Sequence, residues 1–265
     1  MATSVLTAGD ARAVVDDEAG GRITSLRIAG RELLAVSGTS VVEHGSFVMA
    51  PWAGRIRDGI LHLGGQTYRL PTDRTHPHAG HGLVMDRPWH VLQADPDCVR
   101  LRCDLDARWP FAGHVVHDIS VGSDRLRQRV EVHADREPFP VTIGWHPWFV
   151  RRIGDGPPAR LVFTADGMLQ RDSSGVPDGT VVPVPPGPWD DCFTGVRWPV
   201  RITWPGELEL EVTADTGYLV VYDERPDAFC VEPQSGPPDS PNTAPVYAKP
   251  GAPVVAETVW VWRLN

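Results

Sequence analysis

Short segments in which apolar and polar residues alternate recur along the whole chain, and no segment repeats its apolar residues at helical spacing. In one such segment Leu126, Gln128, Val130 and Val132 fall on one face of an extended chain, and charged residues fall on the other. A strand of this kind is buried on one side and solvated on the other, as in antiparallel sheets. The pattern predicts an all-β fold, a large antiparallel sandwich or barrel, and argues against alternating strands and helices.

Turn residues join these segments in pairs. Gly122-Ser123-Asp124 separates Val115–Val121 from Leu126–Val132, and Pro205-Gly206 separates two further strands, Val200–Trp204 and Leu208–Thr213. Other predicted strands are Leu92–Ala94, Val99–Cys103, Tyr218–Tyr222, Phe229–Val231 and Val254–Trp262. Pro-rich surface loops are predicted at Gly154–Pro158, Val182–Pro188 and Ser235–Pro245. Because none of these loops is long enough for a linker and no repeat is visible, a single domain over residues 1–265 is expected.

Composition narrows the class of function. The formal net charge of −9 argues against nucleic acid or an anionic membrane as the main partner. The first residues lack a basic segment followed by an apolar stretch, and no run approaches 18 apolar residues, so neither a secretory signal nor a membrane span is predicted. Cys98, Cys103, Cys192 and Cys230 show no CxxC spacing, which favours reduced thiols and a cytoplasmic protein.

Two segments combine a titratable group with apolar surroundings. His146 lies among aromatic residues in Gly144–Phe149. A sugar pocket requires aromatic faces for the C–H groups and a few polar groups for the hydroxyls, and this segment could supply both. The ordinary histidine pKa of about 6.5 suits proton transfer near neutral pH. Glu232 follows an apolar strand and enters a Pro-rich loop, and a carboxylate in partly apolar surroundings makes a better base near pH 7. A core histidine and a solvated glutamate are the plain alternatives.

Two further segments offer polar groups without a regular strand or helix. Arg55 and Arg57 lie in a Gly-bounded segment beside a tryptophan, where either a solvated turn or a donor fork for sugar hydroxyls fits. His76, His78 and His81 lie within six residues, which suggests a metal site. Pro77 and two glycines interrupt that segment and no carboxylate stands at a familiar spacing, so hydrogen bonding to a polar ligand is favoured over metal binding.

Taken in order, these segments resemble the aldose 1-epimerase (galactose mutarotase) family. The matching pieces are GRI at Gly54–Ile56, HGL with a following RPW at His81–Trp89, GWHPWF at Gly144–Phe149, DDCF at Asp190–Phe193 and VEPQS at Val231–Ser235. The chain departs from the best-known galactose mutarotases in two places. AGRIRDG stands where an asparagine commonly precedes the arginine, and Trp148 stands where tyrosine is frequent.

The resemblance implies a galactose-mutarotase-like β-supersandwich that interconverts the α and β anomers of an aldose, as an isomerase, without cofactor or metal. By the same resemblance, the general acid is expected at His146 and the general base at Glu232. The expected substrate-binding residues are Arg55, His81, Asp190 (with neighbouring Asp191 as the other register) and His78. The expected partner is a small sugar, and the expected state is a monomer or homodimer.

Three alternatives remain open at this point. A hexose-6-phosphate mutarotase needs a cationic phosphate site, for which Arg57, Arg74 and Arg87 are available. A non-catalytic carbohydrate-binding sandwich is compatible with the ten tryptophans. A metal-dependent isomerase would use the cluster His76–His81.

Overall fold

A computed structural model describes residues 3–38, 40–72 and 77–265, and strands make up nearly all of its regular structure. The strands of the first half are β1 (Thr3–Ala8), β2 (Ala11–Asp16), β3 (Arg22–Ile28), β4 (Arg31–Glu32), β5 (Ser46–Met49), β6 (Arg55–Ile56), β7 (Ile60–Leu63), β8 (Gln66–Arg69), β9 (Ala79–Gly80), β10 (His90–Ala94), β11 (Cys98–Asp104), β12 (Gly113–Val121) and β13 (Arg125–Ala134).

The first half also contains a 3₁₀ turn at Arg57–Gly59, and the second half contains one short helix, α1 (Ser240–Thr243). Its strands are β14 (Phe139–Val141), β15 (Gly144–Val150), β16 (Arg160–Thr164), β17 (Gly167–Arg171), β18 (Pro177–Val182), β19 (Asp190–Thr194), β20 (Arg197–Trp204), β21 (Leu208–Ala214), β22 (Tyr218–Tyr222), β23 (Ala228–Gln234), β24 (Val246–Ala248) and β25 (Val254–Leu264). In the described ranges, no helix is long and apolar enough to cross a membrane.

Two large antiparallel sheets contain most of the strands. The first sheet has the order β1-β2-β3-β5-β15-β23-β22-β19-β17-β18, with β4 paired to β3. The second has the order β10-β11-β12-β13-β25-β21-β20-β16. Because every strand pair in these sheets is antiparallel, the predicted all-β antiparallel fold is confirmed.

The hairpins predicted from turn residues are confirmed. Strands β12 and β13 meet at the pair Val121–Leu126, and β20 meets β21 at Trp204–Leu208. In β13 the face that carries Gln128 is buried, as the alternation predicted. Alternation therefore encodes these strands, and the glycine-containing turns encode their antiparallel pairing.

The hydrophobic core lies between the two large sheets. Phe149 on β15 packs against Trp204 on β20 and Trp260 on β25, with ring centroids 6.3 and 5.1 Å away. Phe149 and Trp145 thus face the core, and the residues that alternate with them on β15 face the other side of the first sheet. That other side contains the candidate site.

One predicted loop differs from expectation. Residues 235–245 are not simply a surface loop, because Asp239 and Ser240 are buried and α1 begins there. The Asp239 carboxylate accepts the backbone N–H of Arg57 at 3.1 Å, so the segment supports the Arg55–Arg57 region. Proline and glycine content indicated irregular backbone correctly, but it carried no information about burial.

Candidate active site

One row of residues crosses five neighbouring strands of the first sheet, β5, β15, β23, β22 and β19. In that order the row is Phe47, His146, Glu232, Val220 and Cys192. The flanking pairs Gly144–Gln234 and Trp148–Cys230 place His146 opposite Glu232. Because directly opposite residues of antiparallel strands face the same side, the register brings an imidazole and a carboxylate together from distant parts of the chain.

His146 and Glu232 form a close pair. His146 Nε2 lies 3.3 Å from Glu232 Oε1, and their side chains are only 8% and 4% exposed. The imidazole stacks on Phe47 with ring centroids 4.7 Å apart, and Trp148 lies tilted against it at 5.6 Å. A polar pair held this tightly between aromatic rings has fixed geometry and limited access to water.

Burial shifts the acid strengths of the pair in opposite directions. Desolvation lowers the pKa of His146 well below its usual value, and the nearby charges of His81 and Arg22 lower it further. Desolvation likewise raises the pKa of Glu232 well above its usual value, and the negative charge of Asp190 adds to this. Both shifts favour the uncharged forms, so a single proton on the pair rests on Glu232.

The pair lies in a cavity of about 340 Å³ on this side of the sheet. Its lining includes two aromatic side chains, those of Trp148 and Tyr222, whose ring centroids are 5.6 Å apart. The charged lining residues are Arg55, Arg171, Arg225, Glu43, Asp190, Asp191 and Glu232. Aromatic faces together with many hydrogen-bonding groups are what a polyhydroxylated ligand requires.

Asp190 and Asp191 both line the cavity and share one cation. Arg171 Nη1 lies 2.7 Å from Asp190 Oδ2, and Arg171 Nε lies 3.0 Å from Asp191 Oδ1. The guanidinium at the end of β17 therefore holds both carboxylates of β19 through its fork of donors. The sequence left open whether Asp190 or Asp191 is the sugar-binding aspartate, and both residues line the cavity.

Arg55 is another arginine of the cavity lining. Its Nη1 donates to the carbonyl of Gly175 at 2.9 Å, and its positive charge acts to lower the pKa of Glu232. The backbone carbonyl of Arg55 accepts the N–H of Asp239 at 2.7 Å. The arginine is therefore held at its backbone and at its guanidinium, and it lines the cavity.

His81 lines the cavity in a strained conformation. Its φ of 56° is left-handed, and its ring meets His146 edge-on at a centroid distance of 5.1 Å. The next residue must be glycine, because a Cβ on Gly82 would lie 2.1 Å from the carbonyl oxygen of Ala50. Unusual backbone of this kind concentrates at functional sites, which fits the predicted binding role.

His78 lies outside the cavity lining. Its Nδ1 accepts the backbone N–H of Asp58 at 3.0 Å, and its Nε2 donates to the carbonyl of Ser174 at 2.9 Å. The ring is buried and uses both nitrogens to join the Arg57–Gly59 turn to the loop before β18. The expected contact between His78 and substrate therefore stays a prediction, and the structure gives the residue a supporting position instead.

Arg57 and Arg87, two of the arginines considered for a phosphate site, are each paired with an aspartate. Arg57 Nη1 is paired with Asp172 at 2.7 Å, and Arg87 Nη1 with Asp106 at 2.8 Å. Neither lines the cavity of the His146–Glu232 pair. Arg74 and His76 lie outside the described residues.

One group of possible metal ligands occurs among the described residues: His146, Cys230 and Glu232, with ligand atoms within 4.8 Å of one another. Cys230 Sγ lies 3.6 Å from Nδ1 of His146, whereas Glu232 lies beside Nε2. The cysteine and the glutamate thus contact different nitrogens of the imidazole, and a metal ion would bind only one of those nitrogens. Burial also raises the pKa of the Cys230 thiol well above its usual value, which keeps it protonated and a poor ligand.

Sequence reasoning missed two arginines of the cavity. Arg171 belongs to an ordinary strand, and Arg225, which stacks on Trp148 at 4.9 Å, belongs to a loop. The one available signal for Arg171 was the adjacent pair Asp190-Asp191, since two neighbouring carboxylates in a strand require a cation nearby. Nothing in the sequence indicated which arginine would supply it.

The fold and this cavity define a galactose-mutarotase-like β-sandwich, and solved structures of that class match the chain over nearly its whole length. A galactose mutarotase-like protein from Clostridium acetobutylicum is 18% identical, covering 98% of this chain and 95% of that chain, with a TM-score of 0.86. An aldose epimerase homologue from C. elegans is 17% identical, covering 99% of both chains, with a TM-score of 0.83. A galactose 1-epimerase from Lactobacillus acidophilus is 15% identical, covering 98% and 93%, with a TM-score of 0.80.

The chain belongs to the aldose 1-epimerase family, because residues 4–258 match the family model of that description. The resemblance drawn from the five motifs is thereby confirmed. No curated protein gives a significant match.

Proposed function

We propose that this protein is a mutarotase that interconverts the α and β anomers of an aldose, with Glu232 as general base and His146 as general acid. The observation that carries the proposal is the 3.3 Å contact between Glu232 Oε1 and His146 Nε2 at a cavity with aromatic faces and hydroxyl-binding groups. The proposal treats residues 1–265 as one domain acting in the cytoplasm. The four free thiols support that location.

Anomer exchange requires two proton transfers to one hemiacetal. The base removes the proton of the C1 hydroxyl while the acid protonates the ring oxygen, and the bond between C1 and that oxygen opens. Rotation about C1–C2 presents the other face of the carbonyl, and the two groups reverse their roles as the ring closes. No electrons and no phosphoryl group are transferred, so two positioned proton carriers suffice.

The pair needs only one mobile proton for this cycle. Burial places that proton on Glu232 at rest, whereas the reactive form has Glu232 ionised and His146 protonated. The two forms contain the same number of protons and differ by one transfer between the carboxyl and Nε2. Opposite shifts in acid strength therefore leave the proposed roles intact.

The remaining lining residues have positioning roles in this proposal. Trp148 and Tyr222 offer flat faces to the C–H side of the pyranose. Arg55, His81 and Asp190 offer donors and acceptors to its hydroxyls. Such groups hold the ring and then the open chain in reach of the pair.

Polarimetry of freshly dissolved α-D-glucose and α-D-galactose tests the proposal. Glu232→Gln and His146→Asn are each expected to slow equilibration by about 10²–10⁴-fold, the usual contribution of one positioned acid or base. Glu257→Gln is the matched control, because that glutamate pairs with Arg127 on the second sheet. The proposal fails if the two site variants equilibrate both sugars as fast as the control. Sugar binding without any acceleration by the parent protein would instead indicate a carbohydrate-binding protein.

A further inference from the structure

Cys230 contacts the candidate acid at the nitrogen that the carboxylate does not use. Its Sγ lies 3.6 Å from Nδ1 of His146, and both side chains are buried. The cysteine lies on β23, two residues before Glu232, so it faces the same side of the sheet. One strand therefore supplies a partner to each nitrogen of the same imidazole.

The ring of His146 has little freedom to turn away from these partners. Phe47 stacks on it with an interplanar angle of 18°, and Trp148 lies against it at 30°. Rotation of the ring within its plane is then limited by its polar contacts. The Cys230 contact at Nδ1 and the Glu232 contact at Nε2 together set that orientation.

The two nitrogens must have different protonation for the pair to exchange a proton. A proton leaving Glu232 needs an unprotonated Nε2, so the neutral imidazole must carry its own proton on Nδ1. Cys230 Sγ contacts Nδ1 at 3.6 Å and can accept the proton on that nitrogen.

We propose that Cys230 is a positioning residue, whose sulfur accepts the Nδ1–H of His146 and thereby keeps Nε2 as the proton-exchanging atom. The inference rests on the proposed acid role of His146. Sulfur is a weak acceptor and carries no charge while protonated, so it orients the ring without stabilising the imidazolium as a carboxylate would. A ring that is oriented but readily neutral is suited to giving up its proton.

Three variants test this role by polarimetry. Cys230→Ala removes the acceptor and is expected to lower kcat by about tenfold with KM little changed, the rate equivalent of one hydrogen bond. Cys230→Ser keeps an acceptor and is expected to recover most of that loss. Cys103→Ala is the matched control, because that thiol is equally buried and lies outside the cavity, where its hydrogen bond is to Asp104.

Nitrogen NMR of the imidazole gives a readout that a loss of packing alone would not change. In ¹⁵N-labelled protein, with the His146 signals assigned by their loss in His146→Asn, the parent and Cys230→Ser should show the proton on Nδ1. Cys230→Ala should show a population protonated on Nε2. The measurement needs no substrate, so it stands even if the parent protein proves to have no mutarotase activity.

Three results would overturn the proposal. The first is a parent spectrum with the proton on Nε2, because the thiol would then be the donor and the exchanging nitrogen would be blocked. The second is Cys230→Ser as slow as Cys230→Ala, since sulfur volume rather than hydrogen bonding would then matter. The third is a Cys230→Ala variant with the same kcat and the same His146 tautomer as the Cys103→Ala variant.

Discussion

Glu232 and His146 are ionisable groups in surroundings that disfavour charge on either of them. Desolvation is the largest cause of both pKa shifts, and the charges of Asp190 near the carboxyl and of His81 and Arg22 near the imidazole act in the same direction as burial. Arg55 and Gln234 oppose the shift of the carboxyl but do not reverse it. The two groups therefore titrate in the reverse of their usual order.

This reversal predicts the pH dependence of turnover. The active pair holds one proton, so activity is lost at low pH when His146 gains a second and at high pH when Glu232 loses its own. The acid limb is expected below the ordinary histidine value and the alkaline limb above the ordinary glutamate value. The profile of kcat/KM against pH should therefore be a bell whose acid limb belongs to His146 and whose alkaline limb belongs to Glu232.

Temperature assigns the limbs to their groups. The pKa of a carboxylic acid hardly changes with temperature, whereas that of an imidazole falls on heating. Profiles of kcat/KM at two temperatures should therefore show a fixed alkaline limb and a moving acid limb. An alkaline limb that moves on heating would assign it to His146 and contradict the predicted order.

The same carboxyl carries a stability cost that a substitution should remove. The folded-state pKa of Glu232 is raised, so its contribution is fully present below the unfolded value near 4.5 and is lost as pH rises through the folded value. Glu232→Gln, which cannot ionise, is expected to have a higher unfolding free energy than the parent at alkaline pH and to lose that advantage at acid pH. Urea unfolding of both proteins at acid and alkaline pH measures this. An equal difference at both pH values, or none in either, would show that burial does not penalise the charge.

At the scale of strands, the site depends on register. Phe47, His146 and Glu232 come from three segments far apart in the sequence and meet because β5, β15 and β23 are neighbours in one register. All three strands are buried on both faces, so alternation gave no signal for them and did not predict which strands pair. Pairing of distant strands depends on the whole core, so a shift of two residues would keep every face and still separate the acid from the base.

His78 connects the Arg57–Gly59 turn to the loop before β18 through two hydrogen bonds. His78→Ala leaves the N–H of Asp58 and the carbonyl of Ser174 without their buried partner, so a loss of about 1–3 kcal/mol in unfolding free energy is expected. Thermal and urea unfolding measure it, with His90→Ala on the exposed edge strand β10 as the control. A strong rise in KM with parental stability would instead show that His78 binds the sugar directly.

Strands β17 and β19 are joined at the cavity by Arg171. Arg171→Met leaves Asp190 and Asp191 unneutralised, so we expect KM to rise roughly tenfold or more, as for loss of a charge-assisted hydrogen bond. Without the positive charge of Arg171, the negative charge of Asp190 should raise the pKa of Glu232 further and move the alkaline limb to higher pH. Steady-state polarimetry across pH measures both, with Arg201→Met on the second sheet as the control. An unchanged KM and an unchanged alkaline limb would show that Asp190 does not contact the substrate.

At the scale of the whole molecule, fold and site differed in how much the sequence revealed. Hairpins such as β12–β13 are local, and their turns and alternation are visible in the sequence. The cavity is not local, and cations such as Arg171 and Arg225 carry no motif of their own. Their roles follow from which strands and loops become neighbours, which a single sequence does not state.

Charge across the molecule predicts which sugars the cavity accepts. With a proton on Glu232, the cavity's ionised carboxylates, Glu43, Asp190 and Asp191, equal its arginines in number. Two of those arginines are already paired: Arg171 with both aspartates, and Arg225 with Asp227 at 2.7 Å. The cavity therefore offers no surplus of positive charge. The chain as a whole carries −9. A phosphate, which bears up to two negative charges, would therefore enter an unfavourable potential.

We expect kcat/KM for glucose 6-phosphate to be at least about tenfold below that for glucose, a difference of roughly 1.4 kcal/mol. Added salt should narrow the gap by screening the repulsion. Equal or better use of the phosphorylated sugar, lost selectively in Arg57→Met, Arg74→Met or Arg87→Met, would establish a hexose-6-phosphate mutarotase instead.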